Sequence, residues 1–263
     1  MIHMRKYLKI FSCTVRDQFV YIPAYLIGNI FFVVVLFVFF SLWNVIYADQ
    51  ALIAGLTITQ TLWYLSFAES IELSKARVFM QIQEEVKEGS IAYSLGRPYS
   101  YNGFKIARSL GESLVKVIPI LILGFIVCTL FTGVLPGYWS ALPFGLILIT
   151  GAVLLNIMWG IIIGLLAFWT EEVMPFYWIL QKLIFIGGGM FFPIDFFPEW
   201  IQGAAKIAPF AFSAYWPAIT MVNFSFENFR IALTGQLIYI AILGFVAYLI
   251  FKTALKKLHV QGG

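Results

Sequence analysis

Residues 26–46 read LIGNIFFVVVLFVFFSLWNVI, a run without one charged side chain. A chain that must fold in water has no place for such a run, whereas about 20 apolar residues are what a helix needs to cross the hydrocarbon layer. The same yardstick, moved along the sequence, predicts six spans: 24–46, 51–68, 114–133, 142–168, 174–192 and 231–251. Pro23 falls in the first turn of the first span, where its missing N–H costs no hydrogen bond. Composition agrees. The sequence is 61% hydrophobic and 11% charged, with 27 Phe, and its mean hydropathy is +0.90. These values point to an all-α integral membrane protein, one transmembrane domain over 1–263 with no room for a large soluble one. The apolar run after the basic start is too long for a cleaved leader and lacks a small-residue cleavage site.

Charge sets the orientation. Arg5, Lys6, Lys9 and Arg16 precede the first span, and Lys75, Arg77, Lys87, Arg97, Lys105 and Arg108 lie between spans two and three, with Lys116 just inside span three. Lys252, Lys256 and Lys257 follow span six, and only Lys206 and Arg230 fall on the other side, with Lys182 snorkelling from span five. The excess of basic residues predicts a multi-pass protein of the cell (inner) membrane with both termini and 69–113 cytoplasmic and 193–230 external. The net charge of +4 is then charge sorted across a bilayer and not a nucleic-acid footprint. Cys13 and Cys128 fall near opposite faces, which argues against a disulfide between them. Within 1–22, Leu8, Phe11, Val15 and Phe19 recur at helical spacing and basic residues lie elsewhere around the helix, the pattern of an amphipathic helix in the cytoplasmic interface.

Several kinds of chemistry have no residues to perform them. His3 and His259 sit at opposite ends without a Cys or carboxylate at ligand spacing, so no metal site is expected. There is no Gly-x-Ser-x-Gly elbow and no phosphate-binding P-loop, so the chain reads as a non-enzyme that binds no nucleotide of its own. Ion-driven carriers place carboxylates near the bilayer midplane. Here Glu69, Glu112, Glu171 and Glu172 fall at span ends, which disfavours an ion-coupled carrier and leaves energy to come from outside the spans. What polarity the spans have is neutral. Thr57, Gln60, Thr61 and Tyr64 form one stripe on span two, and Asn156 sits midway along span four. Two readings stand for these groups: a lightly polar surface for an amphiphilic substrate, or hydrogen bonds that join neighbouring helices.

The long segment between spans two and three contains IQEEVKEGSIAYSLGRPYSYNG, residues 82–103. Residues 83–87 suit a charged helical turn, Gly89 ends it, and Arg97-Pro98 forces an extended exit. Ile91, Tyr93 and Leu95 interrupt the polar run, either to fill a partner's groove or to pack on the protein's own helix ends. The segment IGGGMFFPIDFFPEWIQ, 186–202, leaves span five through three glycines into an aromatic knot between two prolines.

Taken in order, KEGSIAYSLGRPYS, FWTEEVMPFYW and GGGMFFPIDFFPEW resemble the membrane subunits of ABC exporters of the type-2 permease family, in its compact six-span branch. The resemblance covers essentially the whole chain. It implies a permease that moves an amphiphilic, lipid-like or drug-like substrate out of the cytoplasm or inner leaflet by alternating access at the interface of two permeases, identical or paralogous. It also implies two separate ATPase subunits that bind ATP and Mg. On this chain the coupling helix then falls at Glu84, Glu85, Ile91, Tyr93 and Leu95, closed by Arg97 and Pro98. Gly187, Gly188, Gly189, Pro193, Asp195 and Pro198 then belong to re-entrant short helices in the outer leaflet. Asp195 is expected to cap the next helix, with Pro198 and Glu199 in its first turn and an amphipathic pair over 198–221 broken at Pro209. A non-transporting membrane scaffold is the alternative, since it would need neither a docking helix nor a neutral pathway.

Overall fold

A computed structural model describes residues 2–257, so the reading of His259, like that of the His3 side chain, lies outside the described residues. The described chain is helical, with an isolated bridge between Ile53 and Leu56 as its only extended pairing. Helix α1 (Ile2–Phe19) precedes α2 (Ile22–Gly28) and α3 (Ile30–Ile46), which form one apolar run broken at Asn29. Next come α4 (Ile58–Leu73), α5 (Val78–Lys87), α6 (Ile91–Leu95), α7 (Tyr101–Thr132) and α8 (Tyr138–Leu165). The chain then forms α9 (Met174–Lys182), α10 (Glu199–Ile207), α11 (Tyr215–Val222) and α12 (Phe226–Ala254).

Four helical segments are long and apolar enough to cross a membrane: Ile22–Ile46, Tyr101–Thr132, Tyr138–Phe168 and Phe226–Lys257. The two other expected spans are shorter and differently bounded. Residues 51–57 are not helical, because the chain turns through Ala54 and Gly55 with positive φ, and α4 starts only after Thr57. It then runs past the expected end at 68 to Leu73. The apolar helix at Met174–Gly187 stops well before 192, in a π turn at Leu183–Gly187 followed by Gly188 and Gly189.

Helix α4 is the core of the bundle. Every residue from 61 to 71 is buried, with α7 on one side and α3 and α11 on others. Close approach elsewhere is made by small residues, as membrane helices require when no hydrophobic force draws them together. On α8, a Cβ at Gly160 would lie 2.5 Å from Val78 Cγ1, and one at Gly164 would lie 3.0 Å from the Phe79 backbone, so α5 beds directly on α8. On α7, Gly103, Ala107 and Gly111 recur every four residues, one face of the helix. Tyr7 packs over Gly103, while Phe11 and Thr14 pack over Gly111. So α1 is a helix, as its spacing predicts, and it lies along the basic end of α7.

Candidate functional site

The segment proposed for docking is built on α5. Val78, Phe79 and Ile82 are buried and turn one face of α5 to α8, which leaves Glu84 exposed. Glu85 is bound from two sides: Lys105 Nζ lies 2.8 Å from Oε1, and the Tyr101 hydroxyl donates to Oε2 at 2.6 Å. Lys105 is fully buried. The Gln83 amide oxygen accepts from the Val173 backbone N–H at 2.9 Å, and Lys87 pairs with Glu172 at 3.3 Å. The Met174 backbone N–H and Lys87 together hold the Glu172 carboxyl below the usual carboxylate range. Helix α5 is thus tied to α7, to α8 and to the link before α9.

Gly89, with φ of +71°, reverses the chain into α6. Here the structure separates three residues that the sequence groups together. Ile91 is 2% exposed and belongs to the protein's own core, and Leu95 is half-buried against it. Tyr93 is 81% exposed. A five-residue turn cannot present positions 91, 93 and 95 on one side, since only residues three or four apart share a helix face. Arg97 donates to the Tyr99 hydroxyl at 2.9 Å, and the Pro98 carbonyl accepts from Lys6 Nζ at 2.7 Å, which joins α1 to the exit of α6.

The polar stripe of α4 is spent within the subunit. Thr57 and Gln60 form a reciprocal capping box, with the Gln60 N–H donating to Thr57 Oγ1 at 3.2 Å and the Thr57 N–H to Gln60 Oε1 at 3.0 Å. Gln60 Nε2 also donates to the Val222 carbonyl at 3.2 Å. Thr61 meets the Tyr47 hydroxyl at 2.8 Å, and the fully buried Tyr64 donates to the Gly189 carbonyl. Asn156 shares none of these bonds. Both of its amide atoms are buried without a partner, beside a void of about 10 Å³ at Ala76 and Ser113, roughly the size of one water. These contacts support the helix-joining reading. Replacing Gln60 with Leu and Thr61 with Val is expected to lower thermal stability, by about 0.6 kcal/mol for each interhelical bond, with the return bond of the capping box lost as well. An unchanged melting temperature in the double variant would overturn the helix-joining reading.

The motif after α9 departs from its expected form. Asp195 does not cap α10, which begins after Pro198 with no side-chain cap. Its carboxylate instead pairs with Lys206 at 2.6 Å and accepts from the Tyr215 hydroxyl at 2.9 Å. Pro193 and Pro198 bracket a single turn at Ile194–Phe196, with Asp195 at its centre. Gly188 accepts from the Tyr215 N–H at 3.1 Å, and Gly189 takes φ of +73° against Ile194. A Cβ at Gly187 would meet nothing within 4 Å. The helix pair over 198–221 breaks at Pro209 as expected, but its halves differ. Helix α10 is amphipathic, with Trp200 83% exposed, whereas all eight residues of α11 are buried. So α11 is a core element between α4 and α8 and does not lie flat at an interface.

Two features escaped the sequence reading. The Lys105–Glu85 pair spans 20 residues and has no local signature. The Gly103, Ala107, Gly111 seam was readable, as a small residue every fourth position. A family model described as ABC-2 family transporter protein matches residues 31–262, from α3 through the end of the described chain. No curated protein and no solved structure matches the sequence.

Proposed function

The chain belongs to the ABC-2 transporter family, and from that premise we propose that it is the permease subunit of an ATP-driven exporter. It pairs with a second permease, identical or paralogous, and with two separate ATPase subunits that carry ATP and Mg. Its cargo is an amphiphile, lipid-like or drug-like, moved outward by alternating access between the two permeases. Six crossings result when the short α4 and Met174–Gly187 are counted with the four long segments, and both termini and 69–113 then face the cytoplasm. The chain itself performs no hydrolysis.

The observation that carries this reading is Tyr93, an aromatic ring 81% exposed on a platform that α5 ties to α7, α8 and the link before α9. An exposed aromatic anchor on a rigid base is what a partner's groove takes up. Helix α5 beneath it is bedded on Gly160 and Gly164 and tied to Lys105 and Val173, so motion imposed at α6 reaches α7, α8 and α9 as one displacement.

The test is co-purification. Tagged protein extracted from its native membranes should bring down an ATPase whose activity elutes with it. Tyr93→Asp should cut the recovered ATPase about tenfold or more, since truncating a central anchor costs about 2 kcal/mol or more. The Ile91→Asp variant is no substitute, because its carboxylate would enter the core. Wild-type protein that elutes without ATPase activity would sink the reading, and full recovery with Tyr93→Asp would move the docking surface elsewhere.

A further inference from the structure

At the basic end of the bundle, between α2, the corner joining α4 to α5, and α7, lies a cavity of about 520 Å³. Three basic side chains reach it, Lys75, Arg77 and Lys116, and two acidic ones, Glu84 and Glu112. Two of the cations are already neutralised: Lys116 pairs with Glu112, and Lys75 with Glu72 outside the cavity. Arg77 has no carboxylate within ion-pairing distance among the described residues.

The lining also includes apolar residues, Ala24, Phe31 and Ile120 among them. Phe31 is also 64% exposed, and Ile27, Val34 and Val38, at helical spacing from it, are 71%, 52% and 55% exposed. The cavity therefore opens beside an uncovered apolar strip of the first span. It lies where that span begins, at headgroup depth in either orientation of the protein.

We propose that this cavity binds the anionic headgroup of an amphiphile from the surrounding leaflet, with its tail along the α2–α3 strip. Arg77 is the charged contact, since a guanidinium fork matches a phosphate or carboxylate with two parallel donors. The inference concerns occupancy alone and holds whether the guest is cargo or a resident lipid, so it does not rest on the export reading.

The test uses the full chain in a neutral detergent and titration calorimetry with dihexanoyl phosphatidic acid, dihexanoylglycerol and inorganic phosphate. Phosphatidic acid should bind saturably and the uncharged dihexanoylglycerol at least about tenfold more weakly, because a hydrogen bond to a charged group is lost. Arg77→Gln should weaken phosphatidic acid by about tenfold or more on the same grounds. Glu112→Gln should tighten it, because Lys116 is released to the cavity. Opposite changes in two variants cannot come from a shared loss of folding. No saturable binding, or affinities unmoved in both variants, overturns the site. Inorganic phosphate binding as tightly as phosphatidic acid overturns the amphiphile and assigns the cavity to a free anion.

Discussion

Replacing Glu85 with Ala should lower the unfolding free energy by about 3–5 kcal/mol, the largest loss expected from any single side chain in the docking segment. Lys105 is fully buried, and its ammonium has one carboxylate in reach, 2.8 Å away. Removing that carboxylate leaves an uncompensated charge in the interior and strips the Tyr101 hydroxyl of its acceptor as well. The loss comes from the stranded cation and not from the pair's own strength. A double replacement, Glu85→Leu with Lys105→Met, should therefore recover most of the stability, since apolar groups of similar volume commonly match a buried ion pair. Denaturant unfolding of the three variants in one detergent measures both statements. A loss below about 1 kcal/mol for Glu85→Ala would place Lys105 in contact with solvent, and a double variant as weak as the single would point to packing as the cause.

The second large effect is expected at Gly188. A Cβ there would lie 2.4 Å from the Ile184 carbonyl oxygen and 2.8 Å from that of Phe210. Both are backbone atoms, so no rotamer change relieves the clash. The turn after α9 and the Gly188–Tyr215 bond that seats α11 would have to shift together. Gly188→Ala should cost about 3 kcal/mol, at the upper end for overpacking, and reduce the folded protein recovered from membranes. Gly187→Ala is the matched control, because nothing lies within 4 Å of that position. It should be neutral, or stabilise by up to about 1 kcal/mol through the unfolded chain. Equal melting temperatures for the two variants would show that the turn yields at both positions alike.

Long-range membership of the core was the part hardest to read from sequence. The apolar runs at 26–46, 114–133, 142–168 and 231–251 announce themselves because a span lacking charge has one physical reading, and the helices found there are in register with that reading. Helix α4 was mis-bounded because its apolar composition extends into 51–57, whereas its start is set by the Thr57–Gln60 box and the turn at Gly55. Helix α11 was read as half of an amphipathic pair in the outer leaflet because 198–221 is rich in Phe and Trp, and such rings serve equally well in a core. Asp195 was assigned a cap because it precedes Pro198 and Glu199, expected in the next helix's first turn, but its partners, Lys206 and Tyr215, are fixed by how the chain folds back. At the docking segment the alternation of 91, 93 and 95 suggested a common face, yet the helical turn sends Ile91 inward and Tyr93 outward.

The length of α7 has a mechanical consequence. Its 32 residues make a rod of about 48 Å, some 18 Å more than the hydrocarbon layer it crosses. The surplus is a mast at the basic end, carrying Gly103, Lys105 and Gly111, the points to which α1 and α5 are moored. A push on α5 therefore lands on a part of α7 that lies beyond the hydrocarbon layer. Leu8 and Phe19 are exposed along α1, which is moored to that mast. Any tilt of α7 must drag α1 and α5 together.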